Sequence, residues 1–310
     1  MFNPFIHITI GRYIFTWVHK VSVESSWQNL TDTATILLPK NIKINYNQLR
    51  NEIKVGDRVE ISAGYDFPAN VVFKGYVIGI LPKVPIEIKC EDESWKLKQN
   101  TITDTIRNAT VQNVLNKYFK DYKTKCLNTK LGTYQINKAS KAQILKSLSD
   151  QYGLKSFFRN DVLVVGLPYD KETAQKHKFA FQRNIKSHNL EYKRKDDIRI
   201  KVTAISNIPN GSKLEYECGD VDGEQRTLNY YNLSMNELKE IAHREMDKLK
   251  YDGYHGNFTA FFEPFVHHGD IVELIDYDET DKAGKYWVDA VSYEMGINGM
   301  SQTIKLGPKA

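Results

Sequence analysis

The sequence predicts an α+β, mainly β fold: two antiparallel β-barrel domains plus a small α/β domain. Three observations carry this expectation. A six-residue pattern occurs twice, as Gly56-Asp57-Arg58-Val59-Glu60-Ile61 and Gly269-Asp270-Ile271-Val272-Glu273-Leu274. Each copy is followed by a turn-rich stretch and an aromatic strand, Gly75-Tyr76-Val77-Ile78 and Lys285-Tyr286-Trp287-Val288. Each therefore reads as a Gly-Asp turn feeding a strand with one buried face, onto which a second strand folds back. Between the copies the alternation of apolar residues gives way to helical spacing and then returns. Two copies far apart imply two similar β-domains in one chain, an arrangement suited to building a ring.

The elements follow in order. Ile6, Ile8 and Ile10 share one strand face, Ile14 to Val18 opens a second strand, and Val21 and Val23 open a third. Thr33 to Leu38 is a short buried-type strand that stops at Pro39. Residues 46–53 allow one or two helical turns. The first repeat follows, then a strand over 71–81, then the alternating Ile86 to Asp92. Up to Trp95 no long helix intervenes, which predicts a closed or nearly closed antiparallel barrel over residues 1–95. Thr110 is a helix N-cap, with Val111, Val114, Leu115, Tyr118 and Phe119 on one face. A loop and a short strand, Thr133 to Ile136, lead to Ser140, the cap of a second helix that Gly153 terminates. Leu154 to Phe158 and Val162 to Val165 form a hairpin across Arg159-Asn160-Asp161. These make a small α/β domain that, with its linker, spans 96–175; the polar stretch 170–182 reads as linker. Strands return at 184–193, 197–206 and 213–218, with a Pro209-Asn210-Gly211-Ser212 turn between the last two. Ser234-Met235-Asn236-Glu237 is a capping box opening the longest helix, to about Lys250. Strands at 255–263, 270–276, 285–295 and 300–306 complete a second barrel with one long helix over 176–310.

Composition bounds the function. The chain of 310 residues is long enough for two or three domains, each with a core. Its 18 Tyr and 14 Phe favour strands and buried interfaces. A net charge of +5 with acidic residues interleaved throughout does not demand nucleic acid. No stretch has the ~20 apolar residues of a membrane helix, so no membrane anchor is expected. Met1-Phe2-Asn3-Pro4 lacks the features of a secretion signal. Cys90, Cys126 and Cys218 have no metal-ligand or redox spacing and read as free thiols of a protein made in a reducing cytoplasm.

Several polar clusters invite chemistry, and each has a plainer reading. Asp276, Asp278, Glu279 and Asp281 could bind Ca²⁺, but the EF-hand Gly and distal Glu are missing, so a solvated turn is favoured. Asp220, Asp222 and Glu224 take the same discount. His267 and His268, near Glu263 and Asp270, are adjacent and would point to opposite faces, which favours a turn before a strand over a metal site. His243 with Asp247 reads as a surface pair on a helix. Glu91, Asp92 and Glu93 precede Trp95 and could in principle act on a glycan, but read as an exposed strand end. Lys193-Arg194-Lys195-Asp196-Asp197 reads as a charged turn. No nucleophile elbow or phosphate loop is present. No catalytic, cofactor-binding or metal-binding residue is therefore assigned, and no cofactor is expected.

The last barrel carries a resemblance. Gly253 to Phe262, then Pro264-Phe265-Val266-His267-His268-Gly269-Asp270-Ile271-Val272-Glu273-Leu274, Tyr286-Trp287-Val288, Gly296-Ile297-Asn298-Gly299 and Thr303-Ile304-Lys305-Leu306 resemble the end of phage tail baseplate hub proteins. These are the late-control D type, related to the hub part of type VI secretion spike proteins. The stretch Ser140 to Val165 is similar to that family's small central domain, and the domain order matches over nearly the whole chain. The resemblance implies two tail-tube-like barrels per subunit and a homotrimer with six barrels in a pseudo-sixfold ring. Such a ring adapts a sixfold tube to a threefold spike. The implied partners are the tail tube or a distal tail protein, the spike protein and the tape-measure protein, with DNA only as transient cargo in the channel. The implied place is the virion tail, and no enzymatic activity is expected. The mixed charges of Glu87-Ile88-Lys89 and Glu191-Tyr192-Lys193-Arg194 predict at most weak, salt-sensitive DNA binding. The alternative is a tail-associated hydrolase acting on peptidoglycan or peptide. Leu306 to Ala310 follow directly on the second barrel, so no extra domain for a catalytic site is expected.

Overall fold

A computed structural model describes residues 4–39, 52–65, 69–81, 83–159, 161–208 and 211–310. Most of the helical turn expected over 46–53, and Asn160, Pro209 and Asn210 of two expected turns, lie outside the described residues.

The first domain contributes β1 (Pro4–Ile10), β2 (Tyr13–Phe15), β3 (Lys20–Ser26), β4 (Thr33–Leu38), β5 (Arg58–Tyr65), β6 (Asn70–Leu81) and β7 (Ile86–Glu91). Then come α1 (Ser94–Leu97), β8 (Thr101–Thr110), α2 (Val111–Tyr118), β9 (Lys123–Cys126), β10 (Lys130–Ser140), α3 (Lys141–Tyr152), β11 (Ser156–Arg159) and β12 (Val162–Val165). The remainder holds β13 (Lys176–Ala180), β14 (Ile185–Lys193), β15 (Ile200–Asn207), β16 (Lys213–Gly219), β17 (Glu224–Tyr231), α4 (Met235–Leu249), β18 (Gly253–Phe261), β19 (Ile271–Ile275), β20 (Gly284–Gly296) and β21 (Gly299–Lys309).

The two β-domains form one 13-stranded sheet, and the repeat is visible in its order. The first domain reads β1-β5-β6-β7-β4-β3, and the second reads β13-β19-β20-β21-β18-β14. Each position has its counterpart: the Gly-Asp strand second, the aromatic strand third, and so on outward. The register agrees residue by residue. Val59 faces Gly75 and Glu60 faces Lys74, while Val272 faces Tyr286 and Glu273 faces Lys285. Gly56 N–H donates to Val77 O and Val77 N–H to Asp57 O; Gly269 N–H donates to Val288 O and Val288 N–H to Asp270 O. One irregularity coincides as well, a bulge after Val77 in β6 and after Val288 in β20. Val59, Ile61, Val272 and Leu274 are all fully buried, the matched core layer that the repeat implies.

One strand departs from the correspondence. β1 runs antiparallel to β5, but β13 runs parallel to β19. A parallel neighbour needs a long crossover, and the chain between β13 and β19 supplies one. β13 itself lies in the stretch expected to be linker. Its outer face carries Lys176 and Lys178, whereas Phe179 and Ala180 are buried. The two β-domains are joined edge to edge. β3 pairs antiparallel with the second half of β20, Lys20 opposite Gly296 through Ser26 opposite Ala290. Among the described residues the ladder ends at β2, at β14 and, on the branch from β20 through β19, at β13.

Helices form where expected. Thr110, Ser140 and Ser234 cap α2, α3 and α4, each through a reciprocal capping box. Gly153 ends α3 at φ +69°. α2 and α3 bury Val114, Leu115, Ile144, Leu145 and Leu148 in a core of their own with Leu131, Ile136 and Leu163. β8 pairs with β10, and β9 runs parallel to β12 beside β11. β15, expected in the second barrel, does not extend its ladder. With β16 and β17 it forms a three-stranded sheet whose Ile200, Val202 and Ala204 pack on Leu238 and Ala242 of α4.

Two glycines in β6 give a test of this packing. A Cβ on Gly75 would lie 2.1 Å from Glu91 O, a backbone atom, whereas one on Gly79 would meet nothing within 4 Å. We predict that Gly75→Ala costs about 2 kcal/mol or more through overpacking. Gly79→Ala should stay within ~0.5 kcal/mol of the parent. Urea unfolding of both variants measures this; equal stabilities would contradict the register of β6 on β7.

Candidate functional site

The feature that recurs in both domains is the Asp-capped glycine turn. Gly56 and Gly269 adopt φ +96° and +78°, which L side chains rarely accept. Asp57 Oδ2 accepts from Lys54 N–H at 2.8 Å, and Asp270 Oδ2 from His267 N–H at 2.9 Å. Each turn is covered by a residue from beyond its own strand pair. Trp95, stacked on Tyr76, lies over Gly56, and Arg159 of the small domain lies over Gly269. Arg159 donates to His268 O at 2.8 Å.

His267, His268 and Asp270 therefore belong to a junction with the small domain. Asp270 also accepts from Gln175 N–H at 3.2 Å and pairs with His177 Nε2 at 3.2 Å. Burial pushes its carboxyl up, but these hydrogen bonds outweigh it and hold Asp270 below the usual carboxylate range. His268, buried against Phe157 and close to Arg159, is pushed down to about 3, so it is neutral wherever the protein is folded near neutral pH. The two histidines sit in a turn before β19, as the sequence implies.

The second junction joins the two β-domains. Along the β3–β20 ladder, Lys20 pairs with Glu294 at 2.6 Å and Ser292 Oγ donates to Glu24. At its end Asp289 is a clasp: Trp27 Nε1 donates to it at 3.1 Å, Gln28 Nε2 at 3.3 Å, and Tyr169 OH also donates to it. Around it Trp27 meets Tyr169 edge-on, and Tyr169 stacks on Trp287. Burial raises the Asp289 carboxyl, and burial beside that carboxylate pushes the Tyr169 hydroxyl well above its ordinary range.

The other clusters are occupied by structural partners. Asp276 accepts from Gln182 Nε2 at 2.8 Å and from the N–H groups of Asp278 and Glu279. Asp278 also takes Gln182, and Glu279 pairs with Lys282. Asp281 lies in the adjoining helical turn. Asp220 pairs with Lys250 at 2.6 Å, Asp222 with Arg199 and Glu224 with Arg226. Glu91 pairs with Lys98, and Glu93 accepts from Tyr76 OH and Lys96. Asp92 differs from the exposed strand end expected: it is buried, caps Ser94 N–H and donates its own N–H to Asp32 O. His243 hydrogen-bonds Tyr216 OH at 3.0 Å, so its partner is on β16 and not Asp247. Lys193 pairs with Glu191, and residues Lys195–Asp197 form the expected turn. Among the described residues no group of three or more His, Cys, Asp or Glu is placed to hold a metal ion. Burial raises all three thiols, Cys90 to about 12. A cleft of about 700 Å³ lies between Gln28–Thr31 and α3, lined by Leu30, Lys98, Gln143, Lys146, Asp150 and Ser156.

What sequence reasoning missed is Asp289, Tyr169 and Trp27. Each is an isolated residue in a different segment, and only tertiary structure brings them together.

Two measurements test these junctions. Removing the Asp289 acceptor in Asp289→Ala leaves Trp27 and Tyr169 unpaired, and we predict a loss of about 1–3 kcal/mol. Faster hydrogen exchange across β3–β20 should accompany it; unchanged exchange there would contradict the clasp. The second concerns Asp32 and Asp92. Burial, aided at Asp32 by the Asp92 charge, raises them to about 7 and about 6. The folded chain then binds more protons than the unfolded one, whose carboxyls titrate near ~3.9. The contribution of these two carboxyls to stability is therefore fully present below that value and is lost as pH rises through 6 to 7. Asp32→Asn should flatten the fall of Tm between pH 5 and 8; an unchanged slope would contradict it.

No known family profile matches the sequence, and no curated protein matches it. Solved structures do match. The tail protein from Neisseria meningitidis MC58 has a TM-score of 0.70 at 15% identity, covering 98% of this chain and 96% of that one. The 43 kDa tail protein of prophage MuSo2 from Shewanella oneidensis has a TM-score of 0.66 at 15% identity, covering 98% and 97%. An Escherichia coli component of the type VI secretion system, itself similar to T4 bacteriophage tail proteins gp27 and gp5, has a TM-score of 0.63 at 10% identity, covering 98% and 77%. The chain thus has the fold shared by phage tail proteins and this type VI secretion component, the hub-like fold its repeat and its C-terminal strands resemble.

Proposed function

We propose that the chain is the structural baseplate hub of a phage tail or phage-like injection machine. Three copies form a pseudo-sixfold ring that joins the tail tube to the spike and leaves a central channel. The observation that carries this reading is the shared strand order of β1-β5-β6-β7-β4-β3 and β13-β19-β20-β21-β18-β14, which agrees in direction at every strand but β13. Three chains, each with two equivalent β-domains, present six equivalent units to a sixfold tube and threefold symmetry to a spike. The likeness to phage tail proteins and to a secretion-machine component supports it. In this reading residues 1–95 and 176–310 are the tube-like units, and 96–175 is the small domain packed beside them. The tube or a distal tail protein, the spike and the tape-measure protein are the partners. DNA is transient cargo, and the protein resides in the virion tail.

The role is structural, not enzymatic. The carboxylates that could serve a hydrolase, Glu91 and Glu93, are already engaged by Lys98, Lys96 and Tyr76. Light scattering over a range of concentrations tests the assembly: a monomer–trimer equilibrium is expected, and a stable dimer would contradict it. Peptidoglycan or peptide turnover that Glu93→Gln abolishes would replace this reading with the hydrolase.

A further inference from the structure

The internal junction shows what a junction between copies would look like, an inference that rests on the ring reading above. Within the chain, β3 of the first β-domain pairs with Ala290–Gly296 of β20 in the second. The ladder correspondence places β14 where β3 stands: Ser22 faces Thr35 and Asn189 faces Asn257, and Thr35 and Asn257 in turn face Lys89 and Lys305. It also places Gly79, Ile80 and Leu81 of β6 where Ala290, Val291 and Ser292 stand, because Gly79 faces Lys89 and Ala290 faces Lys305.

In the single chain both of these counterpart edges lack a ladder. Among the described residues β14 pairs only with β18, and β6 beyond Val77 pairs only with β7. Burial follows the missing neighbour. Val21 and Val23 are 0% and 1% exposed, while their counterparts His188 and Leu190 are exposed and half-buried. Val291 is fully buried, whereas its counterpart Ile80 is half-buried.

We propose that β14 of one copy pairs antiparallel with Gly79–Leu81 of β6 in the next. The transferred register sets Lys193 opposite Gly79, Tyr192 opposite Ile80 and Glu191 opposite Leu81. The occupant is a second copy because each chain carries both complementary edges at the ladder positions already joined inside it. Such a contact is head-to-tail, and it closes into a ring when three steps complete one turn without rise. A nine-residue strand with an open edge otherwise invites indiscriminate pairing. The junction between copies is weaker than the internal one. β6 ends at Leu81 whereas β20 continues to Gly296, and Ile78 replaces the clasp residue Asp289.

Paired strands hold opposed Cα atoms about 4.5–5.5 Å apart, within the disulfide range of about 4.4–6.8 Å. The test is therefore oxidation of the full chain carrying Gly79→Cys with Lys193→Cys, in a background with Cys126→Ser and Cys218→Ser. Reducible dimers and closed trimers are expected on gels. Either substitution alone should give no trimer, and Gly79→Cys with Lys186→Cys, out of register, should give little product. Leu81→Cys with Glu191→Cys provides a second in-register pair if the first folds poorly. A parent that trimerises by light scattering while neither in-register pair cross-links would overturn this edge assignment and leave the ring reading intact. A parent that never trimerises, with no cross-link, would overturn both. In-register cross-links that yield only open chains would uphold the edges and reject the closed ring.

Discussion

The pairing of β3 with the second half of β20 constrains everything else in this molecule. It turns two β-domains that are distant in sequence into one continuous sheet, with their Gly-Asp strands at matched ladder positions. Seven residues of β3 supply the backbone ladder. The Lys20–Glu294 pair lies along it, and the Asp289 clasp with Trp27 and Tyr169 seals its end. Surface ion pairs of the Lys20 kind are worth little alone. The buried apolar residues on the two sides of the junction, Val21, Val23, Val291 and Tyr293, belong to one hydrophobic cluster, so separating the domains would expose a shared core.

The remaining elements attach to that frame. The small domain builds its own core from α2 and α3 and contacts the frame through Arg159, which lies over the Gly269 turn and holds the His268 carbonyl. The corresponding turn at Gly56 is covered by Trp95 at the exit of the first domain. The same local motif thus serves twice, with an aromatic ring at one copy and a guanidinium at the other. The unit of β15, β16, β17 and α4 stands on a separate core, inserted between β14 and β18 without disturbing their pairing.

Much of this was legible in the sequence, for physical reasons. Strands with one buried face announce themselves by alternation, which is why β1, β3, β7 and β19 fall where expected. Caps announce themselves by Ser or Thr followed by a polar residue three positions on, as at Thr110, Ser140 and Ser234. The repeated Gly-Asp unit was legible because a positive-φ glycine and a turn-capping aspartate are local requirements. β8, β13 and β17 were not legible. Thr101–Thr110 buries only Ala109 and Glu224–Tyr231 buries no side chain fully, so neither shows a continuous apolar face, and β13 buries only Phe179 and Ala180 fully. Long-range pairings left no local signal either: neither β3 on β20 nor the gathering of Trp27, Tyr169 and Asp289 is encoded in any one window. The candidate carboxylates looked ambiguous because a turn cap and a metal ligand use the same residues. Only their partners, such as Gln182 on Asp276 and Lys250 on Asp220, separate the two.

The central claim is that the two β-domains are equivalent building units of one ring. End-on electron microscopy of the assembled protein, bound to its tube or at high concentration, tests it most directly. The account predicts an annulus with an open centre, six similar densities around it and overall threefold symmetry. A compact two-fold particle, or a threefold particle in which the two β-domains lie at different radii, would contradict it.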